Sequence, residues 1–251
     1  MQILLTVAYD GTAYAGWQRQ QNAVAVQQRL EEALSELLNG PIVTKAASRT
    51  DAGVHALGQR AAFFAEDLRI PLNKLPQVLN GFLPPDISVT AATAVSEDFN
   101  PRFHASYKTY TYNTYTNPTP NPLLRRYSAY MPQALDIQAM KKAAGMFIGR
   151  HDFAAFMATG GSAKTTVREI YACEVEEAQP GLATLTVTGN GFLYNMVRII
   201  TGTVLYVGLG KILPGDIPGI ILSRDRTKAG KTMPPEGLTL VRVGYGAGVV
   251  E

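Results

Sequence analysis

Reactive side chains concentrate in one short segment, Arg49-Thr50-Asp51-Ala52-Gly53-Val54-His55. It offers a guanidinium, a hydroxyl, a carboxylate and an imidazole, and Gly53 lets another backbone approach closely. Asp51 has two readings: an Asx-turn aspartate that stabilises the loop, or a nucleophile or base. His55 taken alone reads as structural. A second charged group, Arg198, sits inside the otherwise apolar run FLYNMVRIITG. A helix that buries Met196, Val197 and Ile200 hides most of its perimeter, so the guanidinium needs an anionic partner. A structural acid, a phosphate and a catalytic carboxylate all satisfy that need. The third signal is a basic, tyrosine-rich stretch. From Phe99 to Leu135 there is no Asp or Glu, while Arg102, Lys108, Arg125 and Arg126 alternate with Tyr107, Tyr110, Tyr112, Tyr115 and Tyr127. On a strand, Lys108, Tyr110 and Tyr112 share one face, and Tyr107 and Tyr115 the other. Cations meet phosphates and rings stack on exposed bases; a sheet with ordinary tyrosine packing uses the same residues. Arg224 to Lys231 (RDRTKAGK) is a further basic run, either a phosphate contact or a solvated loop.

The elements that must position these groups follow from periodicity and turn residues. QILLTVAY (2–9) reads as a strand stopped by Asp10-Gly11. Residues 23–38 carry Val26, Leu30, Ala33, Leu34 and Leu37 at helical spacing, and Asn39-Gly40 ends the helix in a left-handed turn. Residues 42–47 and 57–65 are strand candidates flanking the polar 48–55 loop, 72–82 a short helix, and 87–95 a strand. The pattern then restarts with a strand at 106–116. Asp136 caps a helix that Gly149 ends. Strands at 167–176 and 182–188 pair around Pro180-Gly181, a helix spans 192–207, and a last strand spans 238–245. Gly189-Asn190-Gly191 reads as a strand-to-helix turn, with a phosphate seat on the helix as the other reading. Gly208-Leu209-Gly210 reads as a helix stop. Trp17, in the polar loop 10–20, reads as buried packing. The mixed order favours an α+β fold with mainly antiparallel sheet, in two halves, 1–103 and 104–251.

Composition narrows the function classes. With 251 residues, 46% hydrophobic and 17% charged, the chain is globular rather than disordered. One cysteine, Cys173, excludes a disulfide framework, and His55, His104 and His151 lie too far apart for a metal-binding pair, so no metal is expected. Neither GxxxxGK[ST] nor a helix-opening GxGxxG occurs, so no nucleotide cofactor is expected. No basic n-region follows Met1 and no run of 18 apolar residues exists, which points to a cytoplasmic protein without a membrane span.

Taken in order, these segments resemble the tRNA pseudouridine synthase A family. YDGTAYAGWQRQ with VQQRLEEAL is similar to its opening strand, loop and helix, and SRTDAGVHALGQ to its catalytic loop. FNPRFHASYKTYTY, GRHDFAAF, TTVREI, GNGFLYNMVRIITG and PPEGLTLVRVGY are similar to its later blocks. Asn100-Pro101 and Thr109 depart from it, standing where the family often has His-Ala and a further basic residue. The resemblance implies two similar α+β halves forming one extended, mainly antiparallel sheet, with helices on one side and a cleft between the halves. It implies a homodimer that isomerises uridine to pseudouridine at positions 38, 39 and 40, in the anticodon arm of tRNA, without a cofactor. It further implies that Asp51 is the nucleophile and that Arg198 pairs with it. Tyr110 lies against the flipped base with Tyr112 as a supporting neighbour, Leu238 sits on the uracil face, and Arg49 contacts RNA beside the target. The chemistry agrees: an isomerisation exchanges no electrons or groups with a cofactor, and a guanidinium neighbour favours the ionised carboxylate it needs. Two competing classes fit part of the pattern. A non-catalytic tRNA-binding or other RNA-binding protein gains nothing from a carboxylate facing phosphates. A glycoside or nucleoside hydrolase needs a second acid, for which only Asp152 and Glu169 stand in matched blocks.

Overall fold

The computed structural model describes residues 1–246. In chain order its elements are β1 (Gln2–Tyr9), α1 (Val26–Leu37), β2 (Lys45–Ala46), β3 (His55–Phe64), α2 (Leu75–Leu79) and β4 (Ile87–Val95). There follow β5 (Ala105–Thr116), β6 (Ala129–Met131), α3 (Ile137–Gly145), β7 (Gly149–Asp152), β8 (Val167–Gln179), β9 (Leu182–Gly189), α4 (Met196–Gly208), α5 (Ile217–Ser223) and β10 (Leu238–Tyr245). The α+β class and the mainly antiparallel pairing are as the sequence predicts; the short β5–β6 pair is parallel. The chain divides into two compact units. One comprises Met1–Ser106 together with the chain from Leu240 on, the other Tyr107–Thr239. The sequence division put all of the last strand in the second half, whereas by contacts most of β10 groups with the first unit.

In the first unit the strand order is β4-β1-β3-β10, with β2 on β3. Residues 2–9 form a strand because apolar and β-branched side chains fill them, and Ile3, Leu4, Leu5 and Val7 are fully buried. The helix α1 turns Val26, Leu30 and Leu34 into the core, and Asn39, at φ 53, ends it in the expected left-handed turn. Both ladders of β1 slip near its C-terminal end, at Thr6/Val7 against β4 and at Val7/Tyr9 against β3. Such irregularities re-aim the chain that follows, here the loop 10–20.

In the second unit the order is β5-β9-β8-β7, with β6 on β5. Its core includes Phe147, Phe153 and Phe156, packed edge-on with centroids 5.1 and 6.1 Å apart. The helix α4 is apolar almost all round and buried, as a core helix must be. Several boundaries differ from the sequence reading, three of them for a clear local reason or by a wide margin. The helix expected from 192 starts at Met196, because Asn195 takes a left-handed conformation (φ 60) that a helix cannot continue through. Asp136 caps α3 as expected, its carboxylate accepting from the Ala139 amide, but the helix ends at Gly145; Gly149 (φ 112) instead opens β7. The strand candidate at 42–47 shrinks to the two residues of β2.

Candidate active site

In the first unit, the Asp51 loop is clamped between β3 and the loop 10–20 by backbone contacts. The Asp51 carbonyl accepts from the Val54 amide at 3.1 Å, and Gly53 sits at φ 78. That is a type II turn, which requires a residue tolerant of positive φ at its third position. Gly53 donates to the Tyr14 carbonyl (3.2 Å), and Trp17 donates to the Thr50 carbonyl (3.1 Å). The Tyr9 hydroxyl meets the Thr50 hydroxyl at 2.7 Å. Gly16 makes this closeness possible, since a Cβ there would lie 2.5 Å from the Thr50 oxygen. Trp17 is buried against Tyr9, centroids 5.8 Å apart, as its default reading predicts. The loop 10–20 is in turn held by α1: Gln27 accepts from the Arg19 amide and the Gln18 side chain, and the buried Glu31 pairs with Arg19 at 3.1 Å. Within this frame Asp51 is half-buried and Arg49 exposed. His55 is buried at the head of β3, its Nδ1 3.1 Å from the Gly11 amide and 3.2 Å from an Asp10 oxygen. Its role is to bind the two loops together.

In the second unit, one short segment ties Arg198, Tyr112 and Leu238 to each other. Arg198 lies in the first turn of α4 and is half-buried. Its Nε donates to the Met233 carbonyl and a terminal nitrogen to the Asn195 side-chain oxygen, both at 2.6 Å. The Met233 amide donates back to the Arg198 carbonyl at 3.3 Å. One residue on, the Pro234 carbonyl accepts from the Tyr112 hydroxyl at 2.7 Å. Gly237 then crosses the Tyr112 ring so closely that a Cβ would lie 2.6 Å from it. Leu238 follows directly, buried, as the first residue of β10. Tyr110 and Tyr112 share a face of β5 as predicted, two residues apart in register with Val187 and Leu185. Tyr110 is 6% exposed and is braced edge-on by Phe192 at 5.2 Å. Tyr112 is fully buried. Burial, reinforced by the nearby charge of Glu236, drives its phenol well above the ordinary range, so it stays a neutral donor.

Three contributors carried no signal in the sequence reading. Asn195, Met233 and Pro234 act through one amide side chain and two backbone carbonyls, and no residue type advertises those roles. Other motifs also make structural contacts. Asn190 of the Gly-Asn-Gly turn pins β8, its amide and side chain bonding the Glu169 backbone at 3.0 Å, and the turn does not abut α4. Gly208-Leu209-Gly210 ends α4, with Gly210 at φ 69. In the basic run, Arg226 folds onto the carbonyls of Ala229 and Gly230 and the Thr232 hydroxyl, and Arg224 pairs with Asp152 at 3.0 Å. Asp152 also caps the Ala154 amide at 3.1 Å, so it is committed within its own unit. Among the described residues no group of His, Cys, Asp or Glu is placed to hold a metal ion, and no helix is long and apolar enough to cross a membrane.

The first unit holds a carboxylate on a pre-ordered turn, and the second holds an arginine of fixed orientation and a braced tyrosine. Comparison with known proteins gives the class its name. The family described as tRNA pseudouridine synthase matches residues 5–104 and 143–246, and the chain belongs to it. Its members are isomerases. The chain is 48% identical to a tRNA pseudouridine synthase A from Ruminiclostridium cellulolyticum, over 97% of this chain and 99% of that one. It is 48% identical, with the same coverage, to a protein of the same name from Caldicellulosiruptor bescii, and 46% identical to one from Geotalea uraniireducens. Among solved structures, the archaeal box H/ACA sRNP Nop10-Cbf5 complex matches with a TM-score of 0.41 and 11% identity, over 95% of this chain and 48% of that one.

Proposed function

We propose that the protein converts uridine to pseudouridine in the anticodon stem-loop of tRNA, at positions 38, 39 and 40, with Asp51 as the nucleophile. The observation that carries this reading is the Asp51 turn. It is half-buried and clamped by backbone bonds on both sides, within a region the family matches. Such rigidity suits a group that must meet a sugar carbon in one geometry. In the reaction the N1–C1′ bond breaks, the uracil turns, C5 joins C1′, and the C5 hydrogen leaves while N1 takes up a proton. Atoms balance within the substrate plus solvent protons. The carboxylate either attacks C1′ or removes a proton from the sugar on a glycal-type route. Both stabilise the cationic sugar in the way glycosidase carboxylates do.

Arg198 is the positive charge of the reaction. Its fixed fork, set by Met233 and Asn195, supports that role. Tyr110 lies against the flipped base. At 6% exposure it offers an edge or its hydroxyl rather than a whole ring face. Tyr112, sealed beneath Pro234, acts as the strut that holds Leu238 for contact with the uracil. Arg49, exposed beside Asp51, meets the RNA next to the target. Extruding the uridine costs a few kcal/mol, which these contacts offset. Homodimer assembly and a cytoplasmic location belong to the same reading.

The test is release of the C5 hydrogen from tRNA carrying labelled uridine. The parent protein is expected to release it and the Asp51→Asn variant to bind tRNA with unchanged affinity but release none. Equal release from the variant removes Asp51 from the mechanism. A non-catalytic RNA-binding protein would bind without any release from the parent.

A further inference from the structure

We propose that the turn 121–127, at the far end of β5 from Tyr110, is a second RNA contact that grips the sugar-phosphate backbone away from the target uridine. The inference rests on the proposed function and adds a substrate-length requirement to it. The turn displays Leu123 at 85% exposure and Tyr127 at 50%, with Arg125 and Arg126 exposed between them. Solvated basic loops are common, but this one is built. Leu124 and Tyr127 donate to the carbonyls of Asn121 and Leu124 at 3.2 and 3.0 Å, and the Leu123 amide donates to the Asn121 side chain at 3.0 Å. The Tyr115 hydroxyl accepts from the Asn121 amide at 3.2 Å, and the Tyr130 hydroxyl donates to the carbonyls of Asn117 and Pro118 at 2.9 and 3.2 Å. These two rings pack together at 5.2 Å, and the Asn113 amide donates to the Tyr127 carbonyl at 3.3 Å. Pro118, Pro120 and Pro122 further restrict the chain.

A loop ordered in advance loses little entropy on binding. Its charge selects the occupant. No acid occurs from Phe99 to Leu135. The acidic strand of this unit, β8, is separated from β5 by β9, and its Glu177 accepts from the Gly181 amide at 2.9 Å. Paired arginines beside a phenol suit a phosphate chain with a neighbouring sugar or base. The strand β5 sets the spacing: from Tyr110 to Thr116 it runs about 20 Å. An RNA that touches both places must extend at least that far from the target.

The test compares the parent with Arg125→Gln/Arg126→Gln on full-length tRNA and on a short anticodon hairpin. On full-length tRNA the slope of log affinity against log salt is expected to fall by about 1–2, and KM to rise about tenfold, with the single-turnover rate at saturation retained. The hairpin is expected to bind both proteins alike. Arg125→Lys/Arg126→Lys, which keeps the charges, is expected to restore the slope. Unchanged slope and KM on full-length tRNA would overturn the proposal. So would equal losses on both RNAs, or loss of self-association in the Gln variant, which would assign the turn to a second copy of the chain. If the parent releases no C5 hydrogen from either RNA, the proposed function fails, while the salt slopes still judge the turn.

Discussion

Arg198 owes its orientation to two bonds of different kinds, one from Nε to a carbonyl and one from a terminal nitrogen to the Asn195 side chain. A guanidinium can hold both and still present further N–H groups; an ammonium cannot match that planar fork. Arg198→Lys therefore keeps the charge and loses the aim. Because the side chain is half-buried and the lysine stem fills similar space, the melting temperature is expected to shift little. The rate of C5-hydrogen release is expected to fall about 100-fold, the scale on which small misplacements act. A lysine variant with parental turnover would show that charge alone suffices at this position. Asn195 explains its own unusual backbone in the same terms. Its left-handed conformation ends the preceding turn and places its amide oxygen within reach of the arginine.

At the scale of elements, α4 and the end of the basic run meet backbone to backbone. A Cβ at Gly202 would lie 1.9 Å from the Lys231 oxygen, and one at Gly230 2.4 Å from the Gly202 carbon. The Gly230 amide donates to the Thr203 hydroxyl at 2.8 Å. This crossing sets where Met233 falls, and so where Arg198 points. Gly202→Ala is expected to push the segment off the helix, costing about 1–3 kcal/mol of stability and most of the activity. Denaturant unfolding and the C5-release assay check both, and an alanine variant with parental values of each would show that the segment adapts. Sequence reading could reach the strands because alternation and turn residues mark them: β1, β4 and β10 begin and end where predicted. The loop of Asp51 and the shared face of Tyr110 and Tyr112 were legible for the same reason. The segment 233–237 was not. It works through two carbonyls and the missing Cβ of Gly237, which are properties of any chain until it is folded. The start of α4 was hidden because FLYN is as apolar as the helix it precedes, and only the backbone of Asn195 separates them.

Across the whole molecule, each unit buries phenols or thiols that resist ionisation. Burial raises the pKa of Tyr14 and Tyr245 in the first unit and of Tyr112 in the second. It pushes the Cys173 thiol, 2% exposed, up from 9.0 to about 12. In every case the folded chain holds its proton more tightly than the unfolded chain does. Their contribution to stability is therefore complete below the unfolded values. It declines as pH rises above them, for Cys173 by about 1.4 kcal/mol per pH unit until its folded value is reached. Both units are thus expected to weaken together in alkali, with a loss that begins near pH 9 and deepens through the phenol range. Urea unfolding should give a clearly lower midpoint at pH 10.5 than at pH 8, and Cys173 should react with a disulfide reagent at pH 8 only as fast as the chain opens. Tyr112→Phe, which removes one titrating phenol along with its bond to Pro234, should lower stability at pH 8 but flatten the alkaline fall. Equal midpoints at the two pH values, or rapid labelling of the native thiol, would mean that these groups meet solvent in the folded protein.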